Sequence, residues 1–440
     1  MRGGRNVNSR PWCQSHSARR IAPTPFPGRS GGRRERGVVL ILAIFSVVLL
    51  SVLAVGISSG VRIELGASRL SLERMQGLFL AEAAIRQARA VLLYDDPKLD
   101  TLQDPWGPDC AHPLDAPRAF GEGFYLAHIE DACGRIDVNE ADVETLLRLT
   151  GDQQVAESIV AWREPVLSAD DAYYRALLEP YAPRHGPFET VGELLLVRGV
   201  TPDLFFGKGG EPGLVDLCSV ESISPNTDAG GDLRTGLNEF KNWGEFEAFQ
   251  KALLAKMGGV LTVYDANEIF NGWFRLFQSG QQGYTSLAQL ATVAGLGYDK
   301  IVGIIDYLTM QPGLTISGMV NVNTASPEVI AALPGGSMAL GLSIATRRSQ
   351  APFANLGEFA EFLLSQPNGP DVFAQMIDHV NVKSSSFIIS ATGYPPTERG
   401  YRSLRALVRR TENDVVLIQQ SEEEWPAPPV VQVAAAVGRR

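Results

Sequence analysis

Arrangements of reactive side chains are scarce in this 440-residue chain. Its four cysteines, Cys13, Cys110, Cys133 and Cys218, form no Cys-x-x-Cys pair, which argues against a zinc ribbon or a dithiol redox centre. Five histidines build no metalloprotease helix, and no phosphate-binding loop occurs. With neither a nucleophile-base pair nor a metal set in view, the chain does not read as an enzyme. Charge is missing in one place above all: nothing ionisable separates Arg36 from Arg62. Proline is missing from the next stretch, up to Pro97.

The uncharged stretch 38–61 holds 24 residues. As a helix it would span roughly 36 Å, enough to cross a hydrocarbon core of about 30 Å, so one transmembrane helix is expected there. Beyond Arg62, Leu78, Ala81, Ile85, Ala88 and Leu92 recur at 3-4-3-4 spacing, and Glu82 and Arg86 lie four apart on other faces. The helix should therefore continue as an amphipathic one, a single rod of roughly 80 Å, half in lipid and half against a soluble domain. Nine arginines against Glu35 alone give residues 1–37 a charge of +8, leaving −18 on the rest of a chain whose net charge is −10. The arginine-rich flank should stay cytoplasmic and the bulk of the chain should lie across the membrane, which in a bacterium is the periplasm. The apolar run is too long for a cleaved secretory signal.

Length allows two or three domains. Residues 95–118, dense in Pro, Asp and Gly, read as a loop, and Gly123 to Ala132 alternates as a strand ended by Cys133-Gly134. A repeat follows. Arg135-Ile136-Asp137-Val138-Asn139-Glu140-Ala141 returns as Met319-Val320-Asn321-Val322-Asn323-Thr324-Ala325. In each, Asp142 or Ser326 can cap a helix, a glycine turn follows (Gly151; Gly335-Gly336), and a second helix ends in arginine (Arg163; Arg347-Arg348). Each copy closes on a Pro-Phe element, at Pro187-Phe188 and Pro352-Phe353. A weaker echo lies between them, from Tyr284 through Gly295-Leu296-Gly297 to Leu308, and residues 222–318 otherwise depart from the pattern as an added subdomain. The repeats are helix-hairpin-helix-like. The segments 387–393, 401–410 and 415–419 read as strands that should return to the one near residue 125. The fold class is then α+β: a long N-terminal transmembrane and amphipathic helix packed on a small antiparallel sheet, interrupted by a large, mostly α-helical insertion. Three cysteines lie beyond residues 1–37. An oxidising periplasm permits one disulfide, and Cys110 with Cys133 closes the shorter loop; three reduced thiols is the other reading.

A basic-Gly boundary at Arg36-Gly37-Val38, followed by an apolar helix that runs into an amphipathic one, resembles the N-terminus of a type IV pilin or pseudopilin. The resemblance implies that a prepilin peptidase cuts after Gly37, leaving Val38 first. It also implies a glutamate at the fifth mature residue, and this chain has Leu42 instead, a departure shared with the K-type minor pseudopilins of type II secretion systems. Asp170-Asp171-Ala172-Tyr173-Tyr174, Tyr181, Gly186-Pro187-Phe188, the stretch 193–200 and 320–325 are similar to that family's central pattern. What it implies is a pilin-like domain split as leader 1–37, transmembrane helix 38–61, pilin-like part 62–134, helical insertion 135–380, pilin-like return 381–420 and tail 421–440. Its partners would be I- and J-type minor pseudopilins, the major pseudopilin, the prepilin peptidase and the inner-membrane assembly platform, and its place the tip of the pseudopilus. The family also implies calcium, with Asp170 and Asp171 as the matching acidic pair; capping of the helix that leads to Tyr173 is the other reading. Alternatives from other classes are a membrane-tethered DNA receptor, which a charge of −18 disfavours, and a type IV pilus accessory protein.

Overall fold

The computed structural model describes residues 35–423 apart from 111–113, 115, 167–169, 239–242, 258 and 398. The leader before residue 35 and the tail after 423 lie outside the described residues. Two bodies divide the chain, one ending at Ser68 and the other beginning at Arg69.

Helix α1 (Glu35–Tyr94) is 60 residues long. Through residues 37–68 every described side chain is exposed, in a stretch apolar enough to cross a membrane. Three of its serines bond back along the helix: Ser46 and Ser51 donate to the carbonyls of Leu42 (2.8 Å) and Val47 (2.7 Å), four residues back, and Ser59 to that of Gly56 (2.8 Å). Within hydrocarbon that is the arrangement a hydroxyl needs.

From Leu80 onward the predicted stripe is buried. Ala81, Ala84, Ile85, Ala88 and Leu92 share a core with Ala127, Ile129, Phe387, Ile389, Leu404, Ala406 and Val408 of a five-stranded sheet. The sheet runs β1 (Arg118–Phe120), β2 (Gly123–Asp131), β3 (Ser386–Tyr394), β4 (Arg402–Arg410) and β5 (Val415–Glu423), all antiparallel. Ile389 stands between Ile129 on one side and Ala406 on the other, so the return of the chain to the strand near residue 125 is as expected. Two features differ from the sequence reading. β1 begins at Arg118, the last residue of the stretch read as loop, and runs through residues the sequence left unassigned, because its three residues are exposed or half-exposed and carry no alternation; it is made by a tight turn at Gly121 (φ +63°). β5 reaches Glu423 rather than ending at 419, and so takes up the first residues assigned to the tail.

Close packing of α1 on the sheet rests on two glycines. A Cβ at Gly77 would lie 2.4 Å from the Gly400 carbonyl oxygen, and one at Gly393 only 2.1 Å from that of Gly77. No side chain fits between these backbones.

Between β2 and β3 the chain is mainly helical and is built three times over. Each copy opens on a two-residue strand that pairs in parallel with the strand closing it: Ile136–Asp137 with Cys218–Ser219, Thr235–Gly236 with Leu308–Thr309, and Val320–Asn321 with Val380–Asn381. Two residues after each opening strand stands an asparagine whose amide clasps the aromatic element of its own copy. Asn139 accepts from the Phe188 N–H (2.7 Å) and donates to its carbonyl (3.1 Å); Asn238 does so with Tyr284 (3.0 and 2.7 Å) and Asn323 with Phe353 (2.9 and 3.0 Å). The amide thus stands in for a strand partner.

Helix pairs follow as the sequence predicted in the first and last copies. Asp142 caps Val143–Thr150 and Ser326 caps Pro327–Ala332, through the N–H groups of Thr145 (2.7 Å) and Val329 (3.3 Å). Gly151 (φ +70°) and Gly335 (φ +72°) make the left-handed turns into Gln153–Arg163 and Met338–Gln350. Residues 222–318 contain the middle copy and are not a foreign subdomain. The echo seen at 284–308 is its second half; its opening strand lies at 235–236, and its helices Trp243–Met257 and Val263–Gln278 are longer than the equivalent pairs.

Candidate functional site

The residues predicted at the processing boundary all lie in α1. A Cβ added to Gly37 would meet no atom within 4 Å, and Val38 and Leu42 are 61% and 64% exposed. Residues 38–61 therefore offer an uncharged, largely apolar surface on all sides. Gly56-Ile57-Ser58-Ser59-Gly60 has the letter spacing of a hydrolase nucleophile elbow, but it sits in the interior of α1. A nucleophile elbow needs a sharp strand-to-helix turn, so the match carries no chemistry.

The expected Cys110–Cys133 disulfide is not formed: Cys110, Cys133 and Cys218 are all free. The Cys133 thiol points into the body, donating to the Ile223 carbonyl (3.3 Å), and burial pushes both Cys133 and Cys218 up to about 12. Such thiols behave as small apolar groups. Asp171 is buried against His185 Nε2 (3.2 Å) and the Arg175 guanidinium (3.7 Å). The Asp170 side chain lies outside the described residues.

The strongest concentration of buried charge was not legible in the sequence. Asp131, at the end of β2, accepts from Ser384 Oγ (2.6 Å), Thr324 Oγ1 (2.6 Å), Asn321 Nδ2 (2.9 Å) and the Cys133 N–H (2.8 Å). The last copy is locked to the sheet through these contacts. Beside it, Arg410 of β4 reaches Asp100 (2.5 Å) and Asp95 (3.2 Å), and Asp100 also accepts from the Ser384 N–H (2.8 Å). Burial raises the Asp100 carboxyl, while Asp100 and Asp95 raise Arg410 against its own burial. With donors aimed at both Asp100 oxygens, the ionised pair is the form the geometry completes. Asp95, Asp100 and Asp104 each bring one oxygen within 4.8 Å of the others, but Arg410 already supplies the cation there.

A second buried pair, Arg234 with Asp306 (3.1 Å), ties the middle copy to the last, since Arg234 also donates to Asn381 Oδ1 (3.2 Å). These partners are 72 to 315 positions apart in sequence, and no local pattern announces them. The Asn238 clasp could have been found: Arg234-Thr235-Gly236-Leu237-Asn238 repeats the shape of Arg135-Ile136-Asp137-Val138-Asn139.

The arginines ending the second helices are turned inward. Arg163 donates to the carbonyls of Val138 and Ala141, and Arg348 to those of Val322 (2.9 Å) and Ala325 (2.5 Å). Arg347 lies 5.2 Å over the Phe353 ring and donates to the Ala351 carbonyl. These guanidiniums bind the protein's own backbone carbonyls.

Residues 320–382 match the family model for type II secretion system protein K. No curated protein matches the chain. The crystal structure of the GspK-GspI-GspJ complex from the enterotoxigenic Escherichia coli type 2 secretion system is similar over 81% of this chain and 99% of that one, with 14% identity and a TM-score of 0.45. The family match coincides with the last copy, from its opening strand, through Asn321, Asn323 and Thr324, to its closing strand Val380–Asn381. That match, together with one helix among the described residues that is apolar enough to cross a membrane, supports a likeness of this chain to the K-type minor pseudopilins of type II secretion systems.

Proposed function

We propose that this chain initiates and caps the pseudopilus at its tip. A prepilin peptidase cleaves between Gly37 and Val38, and the exposed apolar surface of residues 38–61 packs against the corresponding helices of I- and J-type minor pseudopilins. The major pseudopilin is added below, from the inner-membrane assembly platform, while the bulk of the chain stays periplasmic. The observation that carries this reading is Leu42. A carboxylate in the bilayer is costly unless it meets a partner charge, here the terminal amine of a neighbouring subunit. A subunit with no neighbour above it has no such amine to meet, and leucine suits that position.

The test is the ratio of this chain to the major pseudopilin in isolated filaments, measured by quantitative mass spectrometry. The wild type is expected at one copy per filament, and Leu42→Glu above that, because the carboxylate lets it enter the shaft. A ratio unchanged by the substitution would overturn the capping role.

A further inference from the structure

The five-stranded sheet has two unlike edges. β1, at one of them, is three residues long, too short to hold another strand in register. β5, at the other, runs for nine residues and among the described residues is paired on its β4 side alone. Arg89 Nε donates to the carbonyl of Val415 at its start (2.7 Å). Beyond that point the strand lacks the usual devices that blunt an open edge: Val-Val-Leu-Ile-Gln-Gln-Ser-Glu-Glu has no proline and no lysine. Val416, Leu417 and Ile418 are 39%, 39% and 41% exposed, and a register shift at Leu407/Val408 leaves Ile418 without a counterpart on β4. Open main-chain groups beside three half-exposed apolar side chains form a template for a further strand.

Charge decides which strand fits. Glu412 and Asp414 precede this edge, Glu422 and Glu423 finish it, and no lysine or arginine follows Arg410 within the turn or the strand. Arg89 and Arg402 meet Asp414 (3.7 Å) and Glu422 (2.9 Å) from within the protein, while Glu412 is exposed. A second copy of the chain is a poor occupant. Paired antiparallel about Ile418, Asp414 of each copy would face Glu422 of the other, and paired parallel in register each acid would face its own equivalent. The strand that suits both ends is apolar at its centre and carries a lysine or arginine at each end, roughly 27 Å apart over eight residue steps. Because both ends of the edge are acidic, either strand direction satisfies it. On the face away from α1, Gln419 and Ser421 of β5 line a groove of about 270 Å³ whose lining includes the exposed Leu195 and Phe206, so side chains of the added strand have apolar surface beside them.

We propose that β5 is a strand-accepting edge, on which an extended segment of another protein, apolar at its centre and basic at both ends, adds as a sixth strand. Main-chain hydrogen bonds supply the attachment, and the acidic ends select the partner and turn away a second copy. This inference goes beyond the capping role and stands without it.

The test uses the full chain in detergent and three fluorescein-labelled peptides of about nine residues, the length of a strand that matches β5. One alternates valine and threonine between two terminal lysines, one has the same centre between two glutamates, and one is the lysine-ended peptide with proline at two central positions. By fluorescence anisotropy the first is expected to bind about tenfold or more tightly than either of the others. It is also expected to slow amide exchange within 415–423 by about tenfold or more while leaving β2 unchanged. Ile418→Lys, at a half-exposed position, is expected to keep the melting temperature and to weaken that peptide by about tenfold or more. Equal binding of the lysine-ended and proline-bearing peptides would mean attraction by charge alone and would overturn the proposal. So would failure of the first peptide to bind, equal binding of the lysine-ended and glutamate-ended peptides, an unweakened Ile418→Lys protein, or protection at another strand instead. Protection of 415–423 in the peptide-free chain that rises with protein concentration would assign the edge to a second copy and overturn it as well.

Discussion

The two halves of α1 are made of similar residues and do opposite things. Before Ser68, Gly56, Gly60 and Gly66 have nothing within 4 Å of where a Cβ would stand. After Arg69, Gly77 meets the backbone at 2.4 Å. The first half is uncharged and exposed all round over residues 38–61, a surface that a bilayer or neighbouring helices must cover. The second half is apolar along one stripe, and that stripe is used up on the sheet. Hydrophobicity alone does not separate fold from function in this helix; the distribution of small residues around it does.

The sharpest break of that comparison is a pair of glycine substitutions. Gly393→Val would drive a side chain into the Gly77 carbonyl and is expected to cost about 4 kcal/mol or more, enough to abolish cooperative unfolding of the large body. Gly56→Val, in the first half, is expected to leave the melting temperature of that body unchanged. Calorimetry of the two variants checks both, and a stable Gly393→Val protein would contradict the close helix-sheet contact.

Next in size is the charged joint behind the sheet. Arg410→Ala leaves Asp100 buried without its cation and is expected to destabilise by about 3–5 kcal/mol in denaturant titration. A loss under about 1 kcal/mol would show that the pair is dispensable to the fold.

The clasps come third. Asn238→Ala removes both hydrogen bonds to Tyr284 and is expected to cost about 2 kcal/mol, close to the cost of Asn323→Ala in the last copy. A negligible effect at Asn238 beside a full effect at Asn323 would mean that the middle copy is held together differently.

Comparable in size to the clasps, and the most dependent on conditions, is a pH dependence in the first copy. Asp137 stands where the middle copy has Gly236 and the last has Asn321. Burial pushes its carboxyl up to about 6, against hydrogen bonds from the Asn139 and Ser222 N–H groups. A carboxyl whose folded value lies above its unfolded value of 3.8 adds stability when protonated. That contribution is complete below pH 3.8 and is lost as pH rises through about 6. The wild type is therefore expected to lose about 1–3 kcal/mol more than Asp137→Asn between pH 4 and pH 7, as read by denaturant melts at each pH.

What the sequence revealed follows from the range over which each interaction acts. The stripe on α1, the caps at Asp142 and Ser326, and the left-handed glycines at 151 and 335 all act within a few residues, and each was legible. β1 was not, because an outer strand with no buried side gives no alternation. The middle copy was half hidden by its long helices and by Gly236 in place of a polar residue. The Asp100–Arg410 and Asp131–Ser384 contacts join residues more than 250 positions apart, so only folding brings them together. The Cys110–Cys133 pairing failed for a related reason: loop length made it attractive, but the direction of the Cys133 thiol, set by the Ile223 carbonyl, decides.

The central claim concerns the exposed half of α1, and one measurement addresses it most directly. N-terminal sequencing and intact mass of the protein, isolated from membranes with and without prepilin peptidase, should give a chain that begins at Val38 only when the peptidase is present. A chain that keeps Arg36-Gly37 in both cases would contradict the account and leave a simple membrane-anchored protein.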